Sequence, residues 1–111
     1  MTQPIAQISA ADLAQWLGSP EKSQPLLLDV RENWEVEYCK LPGSLSIPMG
    51  EIMDRAKTLD PETELVCICH HGIRSQQVAL YLKSLGFSRL YNLRGGIHDW
   101  SCTVDPSCPT Y

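Results

Sequence analysis

The chain has 111 residues, enough for one domain that buries roughly two-thirds of its unfolded surface without needing a staple. A hydrophobic fraction of 43% and a charged fraction of 20% exclude intrinsic disorder, and a net charge of -4 argues against a general nucleic-acid binder. No apolar stretch approaches the roughly 18 to 20 residues of a membrane span. Met1 to Ala14 carries no Lys or Arg and no long apolar run, so no secretory signal is expected and the chain reads as cytoplasmic. The five cysteines, an odd number, are then read first as thiols.

In chain order, Ile5 to Ile8 is a short strand. Ser9, followed three residues on by Asp12, resembles a capping box and opens a helix in which Leu13, Trp16 and Leu17 share one face, with Gly18 as its stop. A polar loop, 19–24, precedes Pro25 to Val30. That run is apolar without alternation until Asp29, as in a strand buried on both faces. Leu41-Pro42-Gly43 is a turn, Ser44 to Ile47 a strand ended by Pro48, and Met49 to Leu59 a helix broken by Asp60-Pro61. Leu65 to Cys69 is another continuous apolar run, followed by a loop over His70 to Arg74. Ser75 to Leu85 is the strongest helix, with Val78, Ala79, Leu82 and Leu85 on one stripe and Gly86 beyond it. Leu90 to Leu93 is the last strand. Gly95-Gly96 leads into a short helix ending at Trp100, and 102–111 is an extended tail. Alternating strands and helices predict a single α/β domain over 1–111, with a five-stranded, mainly parallel sheet and helices on both faces.

Ligands of such sheets bind beyond the carboxyl ends of the strands. The segment Cys69-His70-His71-Gly72-Ile73-Arg74-Ser75 lies at such an end. A buried strand delivers Cys69, Gly72 is free to take a positive φ, and a helix follows at once. Successive backbone N–H groups in that arrangement make an anion site with the sulfur at its centre, and the helix N-terminus favours the thiolate. Arg74 adds a permanent charge at the rim.

This segment resembles the active-site loop of the rhodanese family, the thiosulfate sulfurtransferases. Three further segments resemble that family in order along the chain. These are Asp29-Val30-Arg31, Leu41-Pro42-Gly43-Ser44, and Gly95-Gly96 with Trp100. Cys39-Lys40 and Leu41 depart from the usual Gly-His-Ile of the second, and His70 and His71 occupy positions that vary widely. The resemblance, to the stand-alone single-domain bacterial members, implies a cysteine persulfide carried on Cys69. Sulfur would come from thiosulfate or another sulfane donor and pass to cyanide, a thiol or an acceptor protein, with no cofactor, nucleic acid or membrane involved. Loop length supports this chemistry. Cys-x4-Arg is one residue shorter than the Cys-x5-Arg of dual-specificity phosphatases and arsenate reductases, which cradle a whole tetrahedral oxyanion.

The expected assignments are Cys69 as nucleophile, with His70, His71, Gly72, Ile73, Arg74 and Ser75 holding the donor. Asp29 and Arg31 brace the surrounding loops. Cys67, two residues before Cys69 and so on the same side of the strand, is read as a core residue rather than a resolving thiol. A metal site from Cys67, Cys69, His70 and His71 is disfavoured, because adjacent histidines face one ion poorly and Cys-x-Cys lacks the usual spacer. Cys102 and Cys108 are read as exposed thiols, with a disulfide between them as the alternative. The rival to an enzyme is a persulfide relay or a non-catalytic module acting on a partner protein.

Overall fold

A computed structural model describes residues 5–111. The first four residues of the expected 1–111 domain, and with them part of the segment read for a signal, lie outside the described residues. Five strands form one sheet: β1 (Ala6–Ile8), β2 (Leu26–Asp29), β3 (Leu45–Ser46), β4 (Leu65–Ile68) and β5 (Leu90–Leu93). Their order is β1-β5-β4-β2-β3, and every neighbouring pair is parallel. The helices are α1 (Ala10–Leu17), α2 (Asn33–Tyr38), α3 (Ile52–Arg55), α4 (Ile73–Ser84) and α5 (Gly96–Thr103). Among the described residues no helix is long and apolar enough to cross a membrane.

The apolar run of β4 is continuous because both of its faces are covered. Leu65, Cys67 and Cys69 enter one core with Ile52 of α3 and with Val78, Ala79 and Leu82 of α4. Val66 and Ile68 enter a second core with Leu13 of α1 and with Ile97 and Trp100 of α5. Each fully buried aliphatic side chain contributes roughly 1.5 to 3 kcal/mol, so the central strand is the most firmly held element and the least able to shift register.

The chain leaves β2 toward β3 on one side and leaves β4 toward β5 on the other. Connections that depart in opposite directions from adjacent parallel strands open a crevice at their carboxyl ends. The segments after Asp29 and after Ile68 meet there.

Several boundaries differ from the sequence reading. Gly72 takes φ 96° and acts as the N-cap, so α4 starts at Ile73 rather than Ser75 and Arg74 lies in its first turn. The helix ends at Ser84, which leaves Leu85 47% exposed rather than on the buried stripe. The expected helix from Met49 to Leu59 is broken into two 3-10 turns around the four residues of α3. Helix α5 runs past Trp100 to Thr103. The following residues turn back so that Cys108 is buried, in place of an extended tail. α2 has no counterpart in the sequence reading.

Candidate active site

Cys69 is 1% exposed at the end of β4. Its Sγ accepts the Gly72 N–H at 3.1 Å, and the Ser75 hydroxyl lies 3.3 Å away. The loop is held in this shape from behind. The Ile97 N–H donates to the Cys69 carbonyl at 2.9 Å and the His98 N–H to the His70 carbonyl at 3.1 Å. A trans peptide points its N–H opposite to its C=O. Tying both carbonyls to α5 therefore turns the His70 and His71 N–H groups away from that helix. Two glycines permit the fit. A Cβ on Gly72 would press on the Leu93 carbonyl at 3.2 Å, and one on Gly96, at φ 62°, would collide with the Cys69 and His70 carbonyl oxygens.

Arg74 is not a free cation. Its two terminal nitrogens donate to Glu35 Oε1 and Oε2 at 2.7 and 2.9 Å, a bidentate pair across 39 residues of chain. Glu35, from α2, is 3% exposed and also accepts the Glu32 N–H at 3.0 Å and the Tyr111 hydroxyl at 2.8 Å. The Arg74 guanidinium holds the Glu35 carboxyl down at about 2, with the Glu32 and Tyr111 hydrogen bonds acting the same way against the cost of burial. The Glu35 carboxylate in turn holds Arg74 above the usual arginine range.

Asp29 and Arg31 lie beneath this pair, both at 0% exposure. Arg31 donates to both carboxylate oxygens of Asp29, at 2.7 Å to Oδ2, to the Glu35 and Cys39 carbonyls, and to the Tyr111 hydroxyl at 2.8 Å. Burial opposes the Arg31 charge, but the hydrogen bonds it donates to Asp29 and Tyr111 hold it above the ordinary value. Burial pushes the Tyr111 phenol up to about 12, so it stays a donor to Glu35. One chain of bonds thus runs from the end of β2 through α2 and the tail to the first turn of α4.

A second buried support comes from β5. Asn92, 3% exposed, accepts the Ser75 hydroxyl and donates to the Gly72 carbonyl at 3.1 Å and to Gln7 Oε1 at 2.9 Å. Ser75 has one hydroxyl proton, which serves either Asn92 or the sulfur of Cys69. Cys67 is at 0% exposure, and burial pushes its thiol up to about 12, so it stays protonated. Ile73 is 71% exposed at the start of α4.

Two cysteine expectations are corrected. Cys108 is 7% exposed and pairs with Cys39 in a disulfide, with Cα atoms 5.5 Å apart; only Cys102 of the tail pair is exposed. The two are 69 residues apart in sequence, and the pairing needs the tail to fold back over α2. The histidines also depart from expectation. The adjacent rings of His70 and His71 lie on one side, with centroids 4.0 Å apart, and His98 of α5 joins them. Tyr111 stacks flat on His70 at 3.9 Å.

Glu35, Asn92, His98 and Tyr111 were not among the residues singled out from sequence. The signal that existed was an Asn inside the otherwise apolar strand Leu90–Leu93. The other three carry none, because their partners are remote in the chain.

A parallel sheet that brings a buried cysteine to its switch point, with the Gly72 N–H and the Ser75 hydroxyl at the sulfur, defines an α/β domain with a cysteine at its crevice. The rhodanese-like domain matches residues 9–102, and the chain belongs to that family. It is 37% identical over 102 residues to the putative sulfurtransferase YtwF of Bacillus subtilis, covering 92% of this chain and 96% of that protein. It is 38% identical to the rhodanese-like/PpiC domain-containing protein 12 of Arabidopsis thaliana, covering 98% of this chain but 38% of that protein. Against the putative sulfur carrier protein YrkF of B. subtilis it covers 51% of that protein's length, so the chain spans about half or less of these last two relatives. Among solved structures, the human single-domain sulfurtransferase TSTD1 superposes with a TM-score of 0.76 at 27% identity, covering 92% of this chain and 98% of that one.

Proposed function

We propose that the protein is a sulfurtransferase that carries sulfane sulfur as a persulfide on Cys69. The observation that carries this reading is the sulfur's position, at the base of a six-residue Cys69–Arg74 loop and in contact with the Gly72 N–H and the Ser75 hydroxyl. Relatives named sulfurtransferases in B. subtilis and Allochromatium vinosum support it, at 37% and 34% identity. The Cys69 thiolate attacks the outer sulfur of thiosulfate. A Cys69–S bond forms, the bond to the SO3 group breaks, and sulfite leaves with the electron pair. Cyanide or a thiolate then attacks the terminal persulfide sulfur, and the Cys69 thiolate departs, giving ping-pong kinetics.

The donor's negative charge is met mainly by loop N–H groups from His70 to Ser75 and by the N-terminus of α4. Arg74 contributes at the rim. Two of its five N–H groups are engaged by Glu35, which both aims the guanidinium and partly cancels its charge. Ser75 can turn its proton from Asn92 to the sulfur as negative charge develops there.

The acceptor has a second reading, a thiol on a partner protein. Trp34 and Tyr38, 62% and 51% exposed, pack against the Tyr111 ring that stacks on His70, and Ile73 of the loop is 71% exposed, so exposed apolar side chains stand near the site for a partner to meet.

An intact mass spectrum after incubation with thiosulfate tests the first half-reaction. The wild type and Cys67→Ser gain one sulfur atom and Cys69→Ser gains none. Labelling of Cys67 instead of Cys69 would sink the reading. Turnover with cyanide then separates the free enzyme from a relay that discharges only to a protein thiol.

A further inference from the structure

The chain contains three histidines, and all three converge at one place. His70 and His71 come from the loop after β4 and His98 from the first turns of α5. One ring nitrogen from each lies within 4.8 Å of the others. Convergence of every imidazole in a protein on one point, from two separate elements, is not what solvated surface histidines do.

The placement is built in. The His98 N–H donates to the His70 carbonyl at 3.1 Å, and the Ile97 N–H to the Cys69 carbonyl at 2.9 Å, so the two backbones are fastened at His70 and His98 and at the residues before them. Tyr111, stacked at 3.9 Å and 7°, fixes the plane of the His70 ring. Among the described residues, two buried side-chain polar atoms lack a hydrogen-bond partner. They are His70 Nε2 and His98 Nδ1, both in this cluster. A buried polar atom without a partner is costly, and a metal ion is one occupant that removes the cost. His71 is exposed and leaves an entry path.

We propose that His70, His71 and His98 form a binding site for a borderline divalent transition-metal ion, with Zn2+ as the type, on the rim of the Cys69 loop. Three imidazoles are a common protein ligand set for such ions and leave one position open for water or a further ligand. Zinc–nitrogen bonds of about 2.0 to 2.1 Å require the three nitrogens to draw in from their present spacing, which side-chain rotation supplies without moving the fastened backbone. Cys102 Sγ lies 3.8 Å from His98 Nε2, one helical turn on, and is a thiol that stands near enough to compete.

The test uses the full chain and does not depend on sulfur transfer. Zn2+ is titrated while the imidazole NMR signals and the heat of binding are followed, and Co2+ is added in parallel for its absorption spectrum. One ion should bind per chain, and the signals of all three rings should move together. His98→Ala and His71→Ala should each weaken binding by about tenfold or more. Far-UV circular dichroism confirms that both variants are folded, and the exposed His71 makes its variant the safer of the two. The Co2+ spectrum should lack a thiolate-to-metal band. Absence of saturable binding, affinity unchanged in both variants, or a thiolate band abolished by Cys102→Ser would each overturn the proposal.

Discussion

Replacing Glu35 by Gln probes the pair that aims Arg74. The change keeps the size of the side chain but removes the charge that two Arg74 nitrogens meet at 2.7 and 2.9 Å. A carboxyl held at about 2 in the folded protein against 4.5 in the unfolded chain corresponds to about 3 kcal/mol of linked stability. Arg74's side chain is 33% exposed and solvent screens part of the interaction, so about 2 kcal/mol is the expected loss. The folded value lies below the unfolded one, so this contribution is fully present above 4.5 and is lost as pH falls toward about 2. Urea unfolding of wild type and Glu35→Gln across this acid range should show the gap at its full size near neutral pH and closing as the medium becomes acidic. A gap that is absent, or that stays constant from neutral pH into acid, would show that Glu35 is not held as a buried carboxylate by Arg74.

Three further outcomes follow from the same contacts. Gly96→Ala should destabilise by more than about 2 kcal/mol and impair persulfide formation, since the new Cβ meets the carbonyl oxygens that set the loop; thermal unfolding and mass spectrometry read both effects. Asn92→Leu leaves the Gly72 carbonyl and Ser75 hydroxyl without their buried partner. It should cost about 1 to 3 kcal/mol and slow sulfur loading roughly tenfold, measured by denaturation and by single-turnover release of sulfite. Reducing the Cys39–Cys108 bridge should lower stability by up to about 4 kcal/mol, from the 69-residue separation it closes, and denaturation with and without reductant should show it.

The relation between sequence and structure is uneven, and the unevenness has a physical cause. Continuous apolar runs at Leu26–Val30 and Leu65–Cys69 are legible because a strand covered on both faces has no position that tolerates water. The Cys69 loop is legible because a strand end, a glycine that can take positive φ and a helix start all lie between Ile68 and Ile73. Such features are local, and local chemistry is written in consecutive residues. The parallel sheet follows from the alternation of those elements, since parallel strands need crossovers.

The tertiary structure alone decided what surrounds the sulfur. Arg74 reads as a free rim cation until α2, too short to announce itself by periodicity, brings Glu35 to it across 39 residues. Cys108 reads as an exposed thiol until the tail folds back and buries it beside Cys39. His98 carries no mark in the sequence, and its place is set only when the first turns of α5 dock on the carbonyls of Cys69 and His70. In each case the partner is distant in sequence, and no local pattern constrains its approach. The single chain determined that a cysteine would stand at the end of a buried strand in a loop of amides. Packing determined which charges are cancelled, which thiols are paired and where the three imidazoles meet, because those depend on distances that exist only after the sheet is assembled.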